Sequence, residues 1–188
     1  MVKSRMGRGA RERLLVACLV AFGAVLPFPA VADSLADAVK AAFLYKFASF
    51  VDWPTPVSDG AAASFDICVV GDDSLEGLLR RAVSGEQIAG HPFALRHLDV
   101  ATRDSGCEIM FIKGSAAQSV AQVLAVVEGS PVLTVTDRAE GQSPVGIINF
   151  VIRQNRVRFE IDQTAAESSG LKISSKLLSL AVPAKETG

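Results

Sequence analysis

The sequence predicts an α/β fold: a three-layer α/β/α domain with a mostly parallel central sheet, ending in a β-hairpin. Three observations carry that expectation. Short β-branched runs apolar on both faces, "FDICVV", "CEIMFI" and "PVLTV", read as buried parallel strands. Segments of helical periodicity separate them, as layered α/β architecture requires. After Gly146 the pattern changes to strict alternation, "GIINFVIRQNRVRFEID", which reads as two strands around a Gln154-Asn155 turn.

The chain has 188 residues, and its front reads as a targeting segment. Lys3, Arg5, Arg8, Arg11 and Arg13 precede an apolar run from Leu14 to Leu26, and Ala30-Val31-Ala32 has the small-residue spacing of a cleavage site. The run is short of the roughly 20 residues that a span needs. This front segment has no adjacent Arg-Arg pair, which points to the Sec route. Cys18 lies inside the apolar run without a lipobox-like pattern at the cleavage point, so no lipoprotein is expected. Cleavage after Ala32 divides the chain into a signal peptide (1–32) and a single domain (33–188). That domain has 156 residues, with 14 basic and 19 acidic side chains. The balance disfavours nucleic acid and anionic lipid as partners. It retains two cysteines, Cys68 and Cys107, and an even pair in an oxidising compartment reads as a disulfide.

Each element follows from local signals. Residues 34–51 read as a helix capped by Ser34, with Asp37 in its first turn. Val39, Phe43, Phe47 and Phe50 recur on one face, which Leu44, Ala48 and Val51 widen. Lys40 and Lys46 interrupt the apolar run and argue against a membrane span; Pro54 and Pro56 end it. After a Gly/Ala/Ser linker (58–64), "FDICVVGDD" is the first buried strand. Ser74 to Val83 is a short helix with Asp72, Asp73 or Ser74 as cap. "HPFALRHLDV" is a second strand and "CEIMFIKG" a third. Ala116 to Val127 is helical, "PVLTVTD" is a fourth strand, and residues 140–144 form a loop. In the last strand Val157, Phe159 and Ile161 point one way; Arg156, Arg158, Glu160 and Asp162 point the other. Thr164 caps a short turn ended by Gly170. Ser174 or Ser175 caps a last helix through Ala181.

The order of strands and helices is receiver-like or Rossmann-like. The acidic pair Asp72–Asp73 and the hydroxyl of Thr136 sit where a phosphoryl-accepting receiver carries its metal-binding acids and its hydroxyl. The third strand, however, ends in Lys113, which cannot accept a phosphoryl group as an aspartate does. His91 and His97 have no third ligand, so no metal site is expected. No nucleophile elbow, P-loop or dinucleotide fingerprint is present. Catalysis is therefore not expected, and neither is a cofactor. The charged row on the last strand reads either as a solvated outer face or as a recognition surface.

The stretches "AVKAAFLYKFASFVDWP", "ICVVGDD", "GCEIMFIKGS", "PVLTVTD", "GIINFVIRQNRVRFEID" and "SGLKISSKLLSLA", in that order, resemble the YfiR-like periplasmic proteins. The resemblance runs from about Ala36 to Ala181. It implies a periplasmic repressor of a YfiN-type inner-membrane diguanylate cyclase, released by a YfiB-type outer-membrane lipoprotein, so that cyclic-di-GMP and biofilm formation rise. It implies a homodimer and a disulfide at Cys68 and Cys107. A second family disulfide would fall near Gln142 and Asn149, where this chain has no cysteine. Partner contact is implied near Ile148 and Glu160, with Arg158 beside them on the charged row. The alternative is a periplasmic small-ligand module, with Gly71, Asp72 and Lys113 to Ser115 lining a pocket at the carboxyl ends of the strands.

Overall fold

The computed structural model describes residues 30–54, 63–71, 73–139, 141–143 and 145–184. The basic and apolar front of the chain, Asp72, and the loop residues Glu140 and Pro144 lie outside them.

The first helix, α1 (Ala30–Phe47), starts before Ser34, so Ser34 is not its cap. It also ends earlier than its periodicity suggests. Residues 48–50 tighten into a 3-10 turn, and β1 (Val51–Asp52) pairs antiparallel with β9 (Lys172–Ile173). The Ser174 amide donates to the Phe50 carbonyl (2.9 Å), so a distant segment satisfies backbone that local helix would otherwise occupy. Of the expected apolar face, Leu44, Phe47, Ala48 and Val51 are buried, joined by Lys40 and Ala41, whereas Val39, Phe43 and Phe50 are half-buried.

The main sheet has seven strands, adding β2 (Phe65–Val70), β3 (Gln87–Ile88), β4 (His91–Leu98), β5 (Ile109–Ile112), β6 (Leu133–Thr136), β7 (Ile148–Arg153) and β8 (Arg156–Ile161). Its order is β3-β4-β2-β5-β6-β7-β8. The five strands from β4 to β7 run parallel; β3 and β8 are antiparallel edges. The parallel strands thus follow the doubly wound order 2-1-3-4-5, which places a crevice where the order reverses, between β2 and β5. The crossover from β2 to β4 carries α2 (Asp73–Ala82), and that from β5 to β6 carries α3 (Val120–Val127). Since right-handed crossovers in opposite directions put their helices on opposite faces, α2 and α3 belong to different cores.

The first core joins α1 and α2 to Phe65, Ile67, Val69, Phe111, Val135, Phe150 and Phe159, and the second joins α3 to Cys68, Val70, Met110 and Ile112. The chain does not end at the hairpin of β7 and β8: α4 (Gln163–Ser168), β9 and α5 (Ser175–Leu180) follow. Two caps differ in detail from expectation. Asp162, not Thr164, caps α4 through the Ala165 amide (2.9 Å), and α3 begins at the Ser119–Gln122 capping box rather than at Ala116. Ser115 folds the preceding residues into a turn by accepting from the Ala117 and Gln118 amides. Among the described residues, no helix is long and apolar enough to cross a membrane.

Candidate functional site

The carboxyl ends of β5 and β6 point to the same end of the sheet because the two strands are parallel. Lys113 follows β5 and Asp137 follows β6, so the topology brings them together. Their side chains meet at 2.9 Å, Lys113 Nζ to Asp137 Oδ2. The same oxygen accepts from Lys40 Nζ at 2.7 Å, and Asp37, one helical turn back on α1, lies 3.3 Å from that ammonium. This cluster pins the first helix to the top of the sheet. Burial alone would push the Asp137 carboxyl up, but hydrogen bonds and charge from Lys40 and Lys113 outweigh it and hold it below the usual carboxylate range. Burial alone would likewise lower Lys40; the partnership with Asp137 reverses that and raises it.

Above the cluster opens a cleft of about 700 Å³. One wall is α1, through Leu35, Val39 and Phe43; the other is the hairpin, through Ile152, Arg156 and Val157. The hairpin tip is tight because Gln154 and Asn155 both have positive φ (51° and 57°), the conformation of a type I′ turn. Phe43 meets Phe159 edge to face at 5.5 Å between ring centres, fixing helix against hairpin below the cleft.

Of the residues expected to line a pocket here, Lys113 does so, joined by Ser74. Gly71 does not. It packs so closely on Gly114 that a side chain there would overlap the Gly114 carbonyl, and its φ of +85° suits only glycine. Ser115 is held by the Asp99 carbonyl (3.0 Å). Asp72 lies outside the described residues, and Asp73 opens α2. The receiver-like hydroxyl is committed elsewhere: Thr136 is fully buried, donates to Asn149 Oδ1 (2.9 Å) and accepts from the Gly146 amide (3.0 Å). His91 faces the Ala63 carbonyl (3.0 Å) and His97 lies 3.1 Å from Glu76. No group of three or more metal-ligating side chains occurs among the described residues.

Cys68 on β2 is joined by a disulfide to Cys107, two residues before the adjacent strand β5, with Cα atoms 5.9 Å apart. On the hairpin, Arg158 is exposed. Glu160 is largely covered, its side chain 13% exposed and paired with Arg153 at 2.9 Å; Arg153 also donates to the Pro183 carbonyl (2.8 Å). Ile148 is fully buried and pairs with Ile161 in the ladder, so its side chain cannot touch a partner directly. Sequence reading did not find the Lys40–Asp137–Lys113 cluster. The available signals were a lysine within an apolar helical stripe and acids or bases directly after buried strands.

No curated protein matches the chain. The model of DUF4154, the YfiR/HmsC-like family, matches residues 37–182, which takes in the disulfide, the hairpin and the cleft apart from Leu35 and Ala36. That family is one of regulators rather than catalysts, and it suggests a periplasmic regulator of diguanylate cyclase signalling with a YfiN-type partner. The matched span covers more than three quarters of the sequence, and the chain belongs to the YfiR/HmsC-like family.

Proposed function

We propose that this protein is a periplasmic repressor that binds the periplasmic sensor domain of an inner-membrane diguanylate cyclase and lowers cyclic-di-GMP synthesis and biofilm formation. The family match over 37–182 carries this reading. The mechanism is population shift: the repressor binds the inactive sensor conformation more tightly than the active one, and needs no chemistry to do so. A YfiB-type outer-membrane lipoprotein competes for it under envelope stress. The protein acts as a homodimer of one domain (33–188), after Sec export and cleavage behind Ala32. Arg158 and Glu160 on β8 belong to the partner surface; Ile148 supports it from within the core.

The test is genetic and biochemical. Deleting the gene raises cellular cyclic-di-GMP, wild-type protein restores it, and Arg158→Glu restores it less well at equal periplasmic abundance. Glu160→Lys is a poorer probe, because it sets a lysine beside Arg153 and disturbs the hairpin itself. Unchanged cyclic-di-GMP on deletion contradicts the reading. Mass spectrometry of the periplasmic protein should give an N-terminus at Asp33.

One observation favours a second reading, a small-ligand module: the cleft lies at the carboxyl ends of the strands over a buried charged floor. Thermal-shift screening with envelope metabolites separates the two, since a stabilising ligand is required only by the second.

A further inference from the structure

The outer edge of β8 runs past the mouth of the cleft, and its hydrogen bonding is incomplete. In a two-residue hairpin the residues flanking the turn, Arg153 and Arg156, exchange both ladder bonds. The alternation then turns the backbone of Arg158 and Glu160 toward β7, and that of Val157, Phe159 and Ile161 outward. Two bonds fix this parity. The Asp162 amide reaches inward to the Ile147 carbonyl (2.8 Å), and the Val182 amide reaches from outside to the Phe159 carbonyl (2.9 Å). Beyond that single contact with the C-terminal segment, the outward amide and carbonyl of Val157 bond no described residue.

The side chains around this open edge are sorted by face. Toward the cleft, Leu35 on α1 is 68% exposed and Ile152 on β7 is 53% exposed, and both line the cavity with Val157. On the other face of the hairpin Arg158 is exposed, as is Arg156, which also borders the cleft beside the turn. A strand laid beside β8 would meet apolar surface on one side and positive charge on the other.

We propose that this edge docks an extended segment of another protein in which apolar and acidic residues alternate. The segment adds a strand at Val157, seats its apolar side chains beside Val157 on the cleft face, and sets its acids against Arg156 and Arg158. Only the identity of the partner rests on the repressor reading; the surface and the chemistry of its ligand do not. A second copy of this chain is a weaker fit. Its β8 carries matching alternation, but pairing arginines with acids across a two-fold axis would centre the strands at Phe159, whose carbonyl Val182 already holds.

The experiment uses protein purified from the periplasm and two eight-residue peptides, one alternating Glu with Val and the other Lys with Val. The Glu/Val peptide slows amide exchange at Val157 by about tenfold or more at saturation, the Lys/Val peptide does not, and Arg156→Glu with Arg158→Glu inverts the preference. The proposal is overturned if neither peptide protects Val157 or if both do so equally. It is also overturned if the amide is already protected without peptide in a concentration-dependent dimer. A parallel arm uses the cyclase periplasmic domain. Binding that is insensitive to Ile152→Asp and Arg156→Glu removes this surface and leaves the repressor reading intact. Absent binding alongside peptide protection removes the repressor reading and leaves the surface.

Discussion

The two faces of the sheet are held by different means. Under α1, large rings interlock: Phe47 lies 5.2 Å from Phe159 and 5.9 Å from Phe150, and Phe65 lies 5.3 Å from Phe93 and 5.1 Å from Trp53. Under α3 the packing is valine, methionine and isoleucine, and the disulfide ties the floor together. A helix of eight residues buries less apolar surface than one of eighteen. The contrast shows that covalent closure on the α3 face complements area burial on the α1 face. It also explains why the cleft opens on the aromatic side, where a long helix and a hairpin rise past the strand ends.

Phe47→Ala, which empties the centre of the ring cluster, should destabilise by about 3–5 kcal/mol in urea unfolding. Replacing Cys68 and Cys107 together by alanine should cost about 2–4 kcal/mol, since the bridge closes a separation of 39 residues. A larger loss from the bridge than from Phe47 would reverse the assignment of roles. Asp137→Asn should cost about 1–3 kcal/mol at neutral pH, because it leaves two lysines without their shared carboxylate. Its pH dependence has a definite sign. A carboxyl held below its unfolded value stabilises the fold above that unfolded value and loses the contribution as pH falls through the lowered one. The gap between wild type and Asp137→Asn therefore closes on acidification. Arg80→Ala removes an exposed pair with Glu76 (2.6 Å) within one helix and should change stability by less than about 0.5 kcal/mol.

Much of this was legible in the chain. Buried strands declared themselves as β-branched runs, and the hairpin turn as Gln154-Asn155 between alternating residues. Period-2 and period-3.6 patterns report directly on which side of an element is covered. The cysteine pair followed from compartment and parity. Other features were invisible because they depend on contacts distant in sequence. Val51 and Asp52 look like the end of a helix until β9 supplies ladder partners. Val39 and Phe50 belong to the expected apolar face, yet the helix is turned so that Lys40 goes inward, toward an aspartate 97 residues away. Local apolarity cannot reveal such a pair, because a lysine in a helix is ordinarily solvated. Ile148 was implied as a contact residue by resemblance alone; its place on the inner face of β7 follows from the register against Ile161.

Isothermal titration of the periplasmic protein against the periplasmic domain of a YfiN-type diguanylate cyclase from the same cell is the direct test of action by binding. A repressor that acts by binding gives saturable heat that weakens by about tenfold, or about 1.4 kcal/mol, in Arg158→Glu. No heat with the wild-type protein, its disulfide intact, would contradict it.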